Sequence, residues 1–474
     1  MTAKPIFHLH FVGIGGIGMS GIAEVFLNQG FRVSGSDLSD SDNVKRLRAA
    51  GAQVFVGHAG SNVGKADVVV VSSAVKDTNP EVIEARKNRI PVIPRAEMLG
   101  ELMRGKVGVA VAGTHGKTTT TSMMASVLTV AGMDPTVVIG GIVNSMGGNA
   151  KLGQGAYVVA EADESDGSFT HLPATYAIIT NIDNDHMDHF GRLENLDRAF
   201  SSFVGKLPFY GMAAACGEDG GVRRCLEQWT KPYLTYGLSQ EWDTYASDVE
   251  IRSDGSSYVV HCRERGGGKH KRLGKVDLKV MGRHNVLNSL AVVTVANAMS
   301  VPFEQIAAGL QEFSGVRRRF DLVWMDPVKT RCVVDDYGHH PTEIMATLAV
   351  ARKFWHGRIL TVFQPHRYSR TLHCKDGFMT CFHDTDALFM TDIYGAGEDP
   401  IPGVHARELT AEIQGRNALM GGKTKDVRYT GDLDATLEAV VDFMEEGDLV
   451  LFLGAGSITR LPYRLKELLE SPKK

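Results

Sequence analysis

A lysine followed by a threonine at the end of a glycine-rich turn can hold a phosphate and a metal ion. The run Gly113-Thr114-His115-Gly116-Lys117-Thr118-Thr119 offers that pair. The apolar stretch Val107–Ala112 precedes it and the helical pattern Thr121-Ser-Met-Met-Ala-Ser-Val-Leu128 follows, so the sequence predicts a strand, a phosphate loop and a helix. At such a junction free backbone N–H groups and the positive end of the helix dipole face one point, while the ammonium adds charge and the hydroxyl a magnesium ligand. A nucleoside triphosphate is the expected occupant. The full pattern G-x-x-x-x-G-K-[ST] would begin at Val111, which is not glycine, so the signal is a shortened form. A tight strand-to-helix turn with an incidental lysine is the plain alternative.

A second glycine turn lies near the start. The apolar run Ile6–Val12 leads into Gly13-Ile14-Gly15-Gly16-Ile17-Gly18, a helical stretch continues to about Gln29, and the strand-like Phe31–Asp37 then ends in an acid. That acid stands roughly 20 residues on, as in a dinucleotide fold, so a pyrophosphate is expected on the turn and NAD is its commonest occupant. Two further strands, near Gln53–Val56 and Asp67–Val71, end in Gly57-His58 and Ser72-Ser73, the polar edge where such sheets bind ligands. Beyond the phosphate loop, Ala156–Glu161 and Tyr176–Asn181 again read as parallel strands. Glu161 and the run Asn181-Ile-Asp183-Asn-Asp185-His186 should therefore converge on the loop. A carboxylate and an imidazole there suit a magnesium-nucleotide site. A solvated turn and a zinc hydrolase site are the alternatives for Asp185–His189, and the lack of a His-x-His pair speaks against zinc. Residues 246–281 alternate like β-hairpins with a basic turn, Arg263–Arg272, read as a solvated loop. Asn285 and Asn288 share one face of the helix that follows.

A third α/β unit begins after Gly315, with strands near Arg331–Asp335, Arg358–Phe363, Ala387–Thr391 and Leu449–Leu453, and a helix from Pro341 to Phe354. Polar residues follow its strands: Asp335-Asp336-Tyr337-Gly338-His339-His340, then Gln364-Pro-His366-Arg367-Tyr-Ser-Arg370, then Gly454-Ala-Gly456-Ser457. Two arginines so spaced could grip a carboxylate or phosphate bidentately, or could serve structural salt bridges.

A chain of 474 residues exceeds one core and predicts two or three domains. With 43% hydrophobic and 22% charged residues and a net charge of −4, it reads as a globular protein with no call for nucleic acid or membrane as partner. The cysteines at 216, 225, 262, 332, 374 and 381 form no Cys-x-x-Cys pair and read as reduced thiols. No signal peptide and no membrane span is apparent, so a cytoplasmic location is expected. The reading leaves monomer or homodimer open.

The ordered set Gly13–Met19, Gly113–Thr118, Glu161-Ala-Asp-Glu-Ser-Asp166, Asn181–His186, Gly282-Arg-His-Asn285, Asp335–Glu343 and Gln364–Thr371 closely resembles the Mur ligase family of peptidoglycan synthesis, from about residue 6 to 460. The shortened phosphate loop Gly-Thr-x-Gly-Lys-Thr is the form such ligases share with folylpolyglutamate ligases. Gly338 stands where alanine is usual and Ser457 where asparagine is usual. The resemblance implies an α/β chain of three domains: a Rossmann-like UDP-binding domain (1–104), a central P-loop ATPase-type domain (105–315) and a C-terminal Rossmann-like domain for the amino acid (316–474).

It also implies ATP and Mg2+ as cofactors. The implied substrates are UDP-N-acetylmuramate and L-alanine, because Gln364–Thr371 suits the alanine-adding member better than the one that reattaches a recycled tripeptide. The first glycine turn is then a UDP-sugar site, with Gly15, Gly16, Ile17, Gly18, Asp37, His58, Ser72 and Ser73 around the nucleotide. For ATP the resemblance implies Gly113, Thr114, His115, Gly116, Lys117, Thr118, Thr119, Asn285, Asn288 and Asp336. Thr118, Glu161 and His186 correspond to metal ligands. Tyr337, His339, His366, Arg367 and Arg370 match the pocket of the incoming amino acid, and His339 is the candidate general base. Relatives that place a carbamylated lysine at the second metal have no securely placed counterpart here. A nicotinamide oxidoreductase would leave the phosphate loop unused, and a noncatalytic nucleotide-gated protein would need neither Glu161 nor His186.

Overall fold

Three separate sheets organise the chain, each built from apolar runs that end in polar loops at one edge. The computed structural model describes residues 7–72, 74–143, 148–264, 268–328, 330–420 and 426–471. The first sheet comprises β1 (His8–Val12), β2 (Arg32–Asp37), β3 (Gln53–Val56), β4 (Val68–Val71) and β5 (Val92–Pro94), in the order β3-β2-β1-β4-β5 and parallel throughout. Every residue of β1 is buried, as expected of a central parallel strand with both faces covered. The order reverses beside β1, and the crevice at that switch point opens on the glycine turn.

The second sheet has ten strands: β6 (Val107–Ala112), β7 (Thr136–Val143), β8 (Gly148–Lys151), β9 (Tyr157–Glu161), β10 (Tyr176–Ile179), β11 (Met212–Cys216), β12 (Tyr233–Gly237), β13 (Thr244–Arg252), β14 (Gly255–Arg263) and β15 (His270–Leu278). The order is β15-β14-β13-β12-β11-β10-β6-β9-β7-β8. Its middle is parallel, with β6 between β10 and β9, and antiparallel pairs close both ends. The hairpins expected over 246–281 are β13 to β15, where more and less exposed residues alternate along β13. Part of the basic turn expected at Arg263–Arg272 lies outside the described residues.

The third sheet, β16 (Asp321–Met325), β17 (Cys332–Asp336), β18 (Arg358–Phe363), β19 (Ala387–Thr391), β20 (Asp426–Gly431) and β21 (Asp448–Leu453), runs β16-β17-β21-β18-β19-β20 with only β16 antiparallel. The helix Pro341–Phe354 begins as the sequence predicts, with Pro341 in its first turn and a capping box formed by His340 and Glu343.

The apolar core explains how these units are joined. One contiguous cluster runs from Leu9 and Phe11 through Val109, Ile178 and Val292 to Val316, so the first two sheets share a core. The third sheet keeps its own: Ile359 and Phe363 of β18 point to one face and Leu360 and Val362 to the other. It meets the central unit through polar side chains, described below. Among the described residues no helix is long and apolar enough to cross a membrane. The six cysteines are buried and unpaired.

Candidate active site

The central strand β6 delivers its loop to the middle of the sheet's carboxyl edge. Gly116 caps the helix Lys117–Val130 at φ 83°, and a Cβ there would lie 2.7 Å from Asn288 Oδ1, so only glycine fits both the backbone and the space. No side chain caps that helix, which leaves its first-turn amides to an external acceptor. The loop is pinned to the end of β10: Thr114 N donates to Asn181 O (3.0 Å), His115 N to Asn181 Oδ1 (2.8 Å) and Asp183 N to Thr114 Oγ1 (2.9 Å).

Lys117 Nζ folds onto its own loop, donating to Gly113 O (2.7 Å) and Thr114 O (3.0 Å), and pairs with Glu164 at 2.8 Å. Burial opposes the charge on Lys117, but the carboxylates of Glu164, Asp163 and Glu161 outweigh it and hold the ammonium pKa above its usual value. Burial, and Asp163 beside it, push Glu164 up to about 7, with the Lys117 ammonium pulling the other way. Thr118 Oγ1 donates to Glu161 (3.0 Å to Oε2), and Gly140 N donates to the same oxygen at 2.8 Å. His186 stands in the left-handed region at φ 58°, with Nε2 3.6 Å from Glu164 Oε1, and burial lowers its pKa. A hydroxyl, carboxylates and a neutral imidazole beside bare helix amides fit a magnesium-nucleotide.

Across the seam to the third unit, Asp185 and Arg370 form a buried bidentate pair, with Nε and Nη2 donating at 3.1 and 3.2 Å; each side chain is 7% exposed. Arg370 Nη1 lies 3.2 Å from His366 Nδ1, and Arg367 pairs with Asp188 (3.1 Å) and Glu398 (2.6 Å). Burial, with Arg370 and Arg367 beside it, lowers the His366 pKa to about 4. His339 Nδ1 donates to Tyr337 O at 3.0 Å, which leaves Nε2 with a lone pair, and burial lowers its pKa to about 3. Tyr337 lies under the guanidinium groups of Arg318 and Arg319.

Between the two units opens a cleft of about 490 Å³. His115, Gly116 and Thr119 line its loop end, Asn285 and Asn288 one wall, and Asp336 and Glu343 the other. Asn288 Nδ2 donates to Asn285 Oδ1 at 3.3 Å, so the two amides do share a face. Asp336 caps Phe320 N (2.7 Å) and Gly338 N (2.7 Å) at the end of β17.

In the first unit, Gly15 N donates to Asp37 Oδ2 at 2.9 Å, and a Cβ on Gly15 would lie 2.8 Å from that oxygen. The turn Gly15-Gly16-Ile17-Gly18 is open to solvent at the start of the helix Ile17–Asn28, which also lacks a side-chain cap. His58 and Ser72 follow β3 and β4 on the same edge. Ser73 lies outside the described residues. Arg95, next to Gly18, reaches Asp163 at 3.0 Å and ties this edge to the acidic loop after β9.

Three family models match in sequence order: the Mur ligase family catalytic domain over residues 8–107, the Mur ligase middle domain over 111–296 and the Mur ligase glutamate ligase domain over 318–456. The chain belongs to the Mur ligase family. Among curated relatives of this family, UDP-N-acetylmuramate--L-alanine ligase of Geotalea daltonii is 50% identical over 98% of this chain and 99% of its own. The enzyme of the same name from Geobacter sulfurreducens is 52% identical over 95% of each. Among solved Mur ligases, the UDP-N-acetylmuramate-alanine ligase of Thermotoga maritima superposes with a TM-score of 0.81 at 30% identity, covering 98% of this chain and all of that one. A murein peptide ligase of Psychrobacter arcticus gives 0.72 at 25% identity, over 99% and 100%.

The fold of this Mur ligase brings the phosphate loop, Glu161, His186 and the third-unit residues to one seam. Sequence reasoning gave no role to several members of it. Glu164 stands three residues beyond Glu161, in the loop after β9 and inside the quoted acidic run, and Asp183 and Asp185 lie inside another. Glu343 was legible as the third residue of a capping box after His340. His115, Asp183 and His340 converge closely enough to hold a metal ion, yet their atoms are already engaged. Asp183 Oδ2 accepts from His115 Nε2 (3.1 Å) and Thr342 Oγ1 (2.6 Å), and His340 Nδ1 accepts from Thr342 N (3.3 Å).

That cluster has a pH signature. Burial opposes charge on His115, but Asp183 and Glu343 outweigh it and raise its pKa from 6.5 to about 9. Its contribution to stability is therefore fully present below about pH 6.5 and lost as pH rises through about 9. Asp183 and Glu343 are held below the usual carboxylate range, so their contribution is lost on acidification instead. In thermal unfolding, His115→Gln should cost most below about pH 6.5, up to about 3 kcal/mol, with the difference from the parent shrinking as pH rises from there and nearly gone above about pH 9. A difference that stays constant across that range would show that His115 carries no charge.

Proposed function

We propose that this Mur ligase joins L-alanine to the lactyl carboxylate of UDP-N-acetylmuramate at the expense of ATP. The observation that carries the reading is the half-identical, end-to-end match to curated L-alanine ligases, together with a phosphate loop whose Lys117 and Thr118 face Glu164 and Glu161. A carboxylate does not condense with an amine at neutral pH because its oxygen is a poor leaving group. Bound magnesium-ATP would supply the γ-phosphoryl group that makes it an acyl phosphate, leaving ADP, and the alanine amine then displaces inorganic phosphate from that acyl carbon.

Each unit then takes one reactant: residues 1–104 the UDP-sugar, 105–315 the nucleotide and 316–474 the amino acid. The turn Gly15–Gly18 with Asp37, His58, Ser72 and Ser73 receives the uridine diphosphate. Gly113–Thr119 cradle the ATP phosphates, and Asn285, Asn288 and Asp336 flank the nucleoside in the cleft. Thr118 and Glu161 offer hard oxygen ligands to magnesium, and His186 a nitrogen. Lys117 must exchange loop carbonyls for phosphate oxygens and then stabilises charge in transfer, which needs positioning rather than a protein nucleophile. Tyr337, His339, His366, Arg367 and Arg370 form the alanine pocket. A base with a pKa near 3 holds no proton for long. His339 therefore accepts a hydrogen bond from the amine and orients it, more than it removes a proton. Closure of the seam keeps water from the acyl phosphate. The enzyme would act in the cytoplasm, where its substrates are made.

Phosphate release in the presence of ATP, UDP-N-acetylmuramate and, separately, alanine, serine, glycine or a tripeptide tests the reading; alanine should be preferred. A narrower expectation concerns His186. His186→Ala should raise the magnesium concentration needed for half-maximal activity while leaving the melting temperature nearly unchanged. An unaltered magnesium dependence would remove His186 from the metal site.

A further inference from the structure

Under the uridine edge of the first sheet lies a buried chain of polar groups that the reaction itself does not use. Glu81, in the first turn of the helix Pro80–Lys87, is fully buried, as is Ser36 of β2. Glu81 Oε2 accepts from Ser36 Oγ at 2.5 Å, and Ser36 Oγ lies 2.9 Å from His58 Nδ1. Glu81 Oε1 accepts from Asn62 Nδ2 (2.6 Å) and Ala59 N (3.3 Å). Resting on the uridine reading above, we propose that Glu81 is a positioning residue for nucleotide selection: through Ser36 it fixes the His58 tautomer that presents an unprotonated Nε2 to the base.

Counting protons along the chain settles the tautomer. An ionised carboxylate only accepts, and Glu81, despite burial, is held below its ordinary pKa by His10, whose Nε2 lies 3.7 Å away, and by hydrogen bonds from Ser36 and Asn62. The single hydroxyl proton of Ser36 therefore goes to Glu81, and Ser36 Oγ must accept from His58 Nδ1–H. A neutral His58 then carries its lone pair on Nε2. Uracil offers a donor, N3–H, at the centre of its pairing edge, whereas cytosine offers a lone pair there. The relay thus selects a uridine diphosphate over a cytidine diphosphate.

Glu81→Gln reverses the relay in a way the surroundings dictate. Asn62 Nδ2 also donates to Gly57 O at 3.1 Å, so it cannot turn over, and with Ala59 N it holds the new carbonyl oxygen at the Oε1 position. The amide N–H then faces Ser36, whose own proton turns to His58 Nδ1, leaving His58 with Nε2–H. Two measurements test this on the full chain. Nitrogen-15 histidine spectra at about pH 8 should show the Nδ1–H tautomer for His58 in the parent protein and Nε2–H in Glu81→Gln. Calorimetric titration should show the UDP-to-CDP affinity ratio falling by roughly ten-fold or more in the variant. An Nε2–H tautomer in the parent, or an unchanged ratio in a folded variant, would overturn the proposal. The parent spectrum judges the relay even if the variant does not fold. If the parent binds no UDP, the uridine reading of this edge fails while the tautomer still judges the relay.

Discussion

Lys117→Ala is expected to lower ATP-dependent phosphate release by about two orders of magnitude or more, while binding of UDP-N-acetylmuramate to the first unit stays near normal. Among the described residues the lysine is the one cation in direct contact with the phosphate-loop carbonyls of Gly113 and Thr114, so its loss takes the positive charge from the transferring group. The substitution also removes the partner of a buried carboxylate, which ordinarily costs several kcal/mol. Here Glu164 already stands at about 7 with the lysine present, so without it the carboxyl takes up a proton at neutral pH and the fold survives. Rate loss with an intact thermal transition at pH 7 would separate chemistry from unfolding. Near-normal turnover would mean that the loop does not hold the ATP.

What the sequence disclosed and what it hid have different physical origins. Strands built on valine runs, such as Val107–Ala112 and Val68–Val71, and the capped helix at Pro341, announced themselves because local chemistry alone specifies them. The alanine run of β11, Met212–Cys216, carries no β-branched residue, and β20 mixes glycine and polar residues, so only their neighbours make them strands. At the site, spacing disclosed the glycine turns, because φ above zero and close approach admit little else. It could not disclose Glu164 as the partner of Lys117, Glu343 as the partner of His115 or Asp185 as the partner of Arg370. Those pairs join residues far apart in sequence, and an acid next to a motif looks like any solvated acid until the fold buries it. The seam matters because two separately cored units meet there on charges rather than apolar side chains, which suits a contact that must open to admit three reactants.

Arg370→Lys is the change expected to act most selectively on the amino acid. Alanine offers a carboxylate, an amine and one methyl group, so most of its binding must come through the carboxylate, and a planar guanidinium grips that better than an ammonium. Three of the five N–H donors of Arg370 are committed, two to Asp185 and one to His366, which leaves two for an incoming carboxylate. A lysine ammonium has three donors in all and cannot span Asp185 and His366 while also meeting the substrate. The KM for alanine should rise by roughly ten-fold or more, equivalent to about 1.4 kcal/mol where KM tracks binding, with ATP and UDP-N-acetylmuramate much less affected. Because lysine keeps a positive charge beside Asp185, the melting temperature should fall less than in Arg370→Ala, which leaves a buried carboxylate uncompensated at a cost of about 3–5 kcal/mol. The parent enzyme should use free alanine far better than a tripeptide, whose carboxylate lies several bonds from its reacting amine and cannot meet the same two donors in the same pose. Efficient ligation of the tripeptide without use of free alanine would overturn the assignment. An unchanged KM for alanine in Arg370→Lys would restrict that arginine to holding Asp185 across the seam.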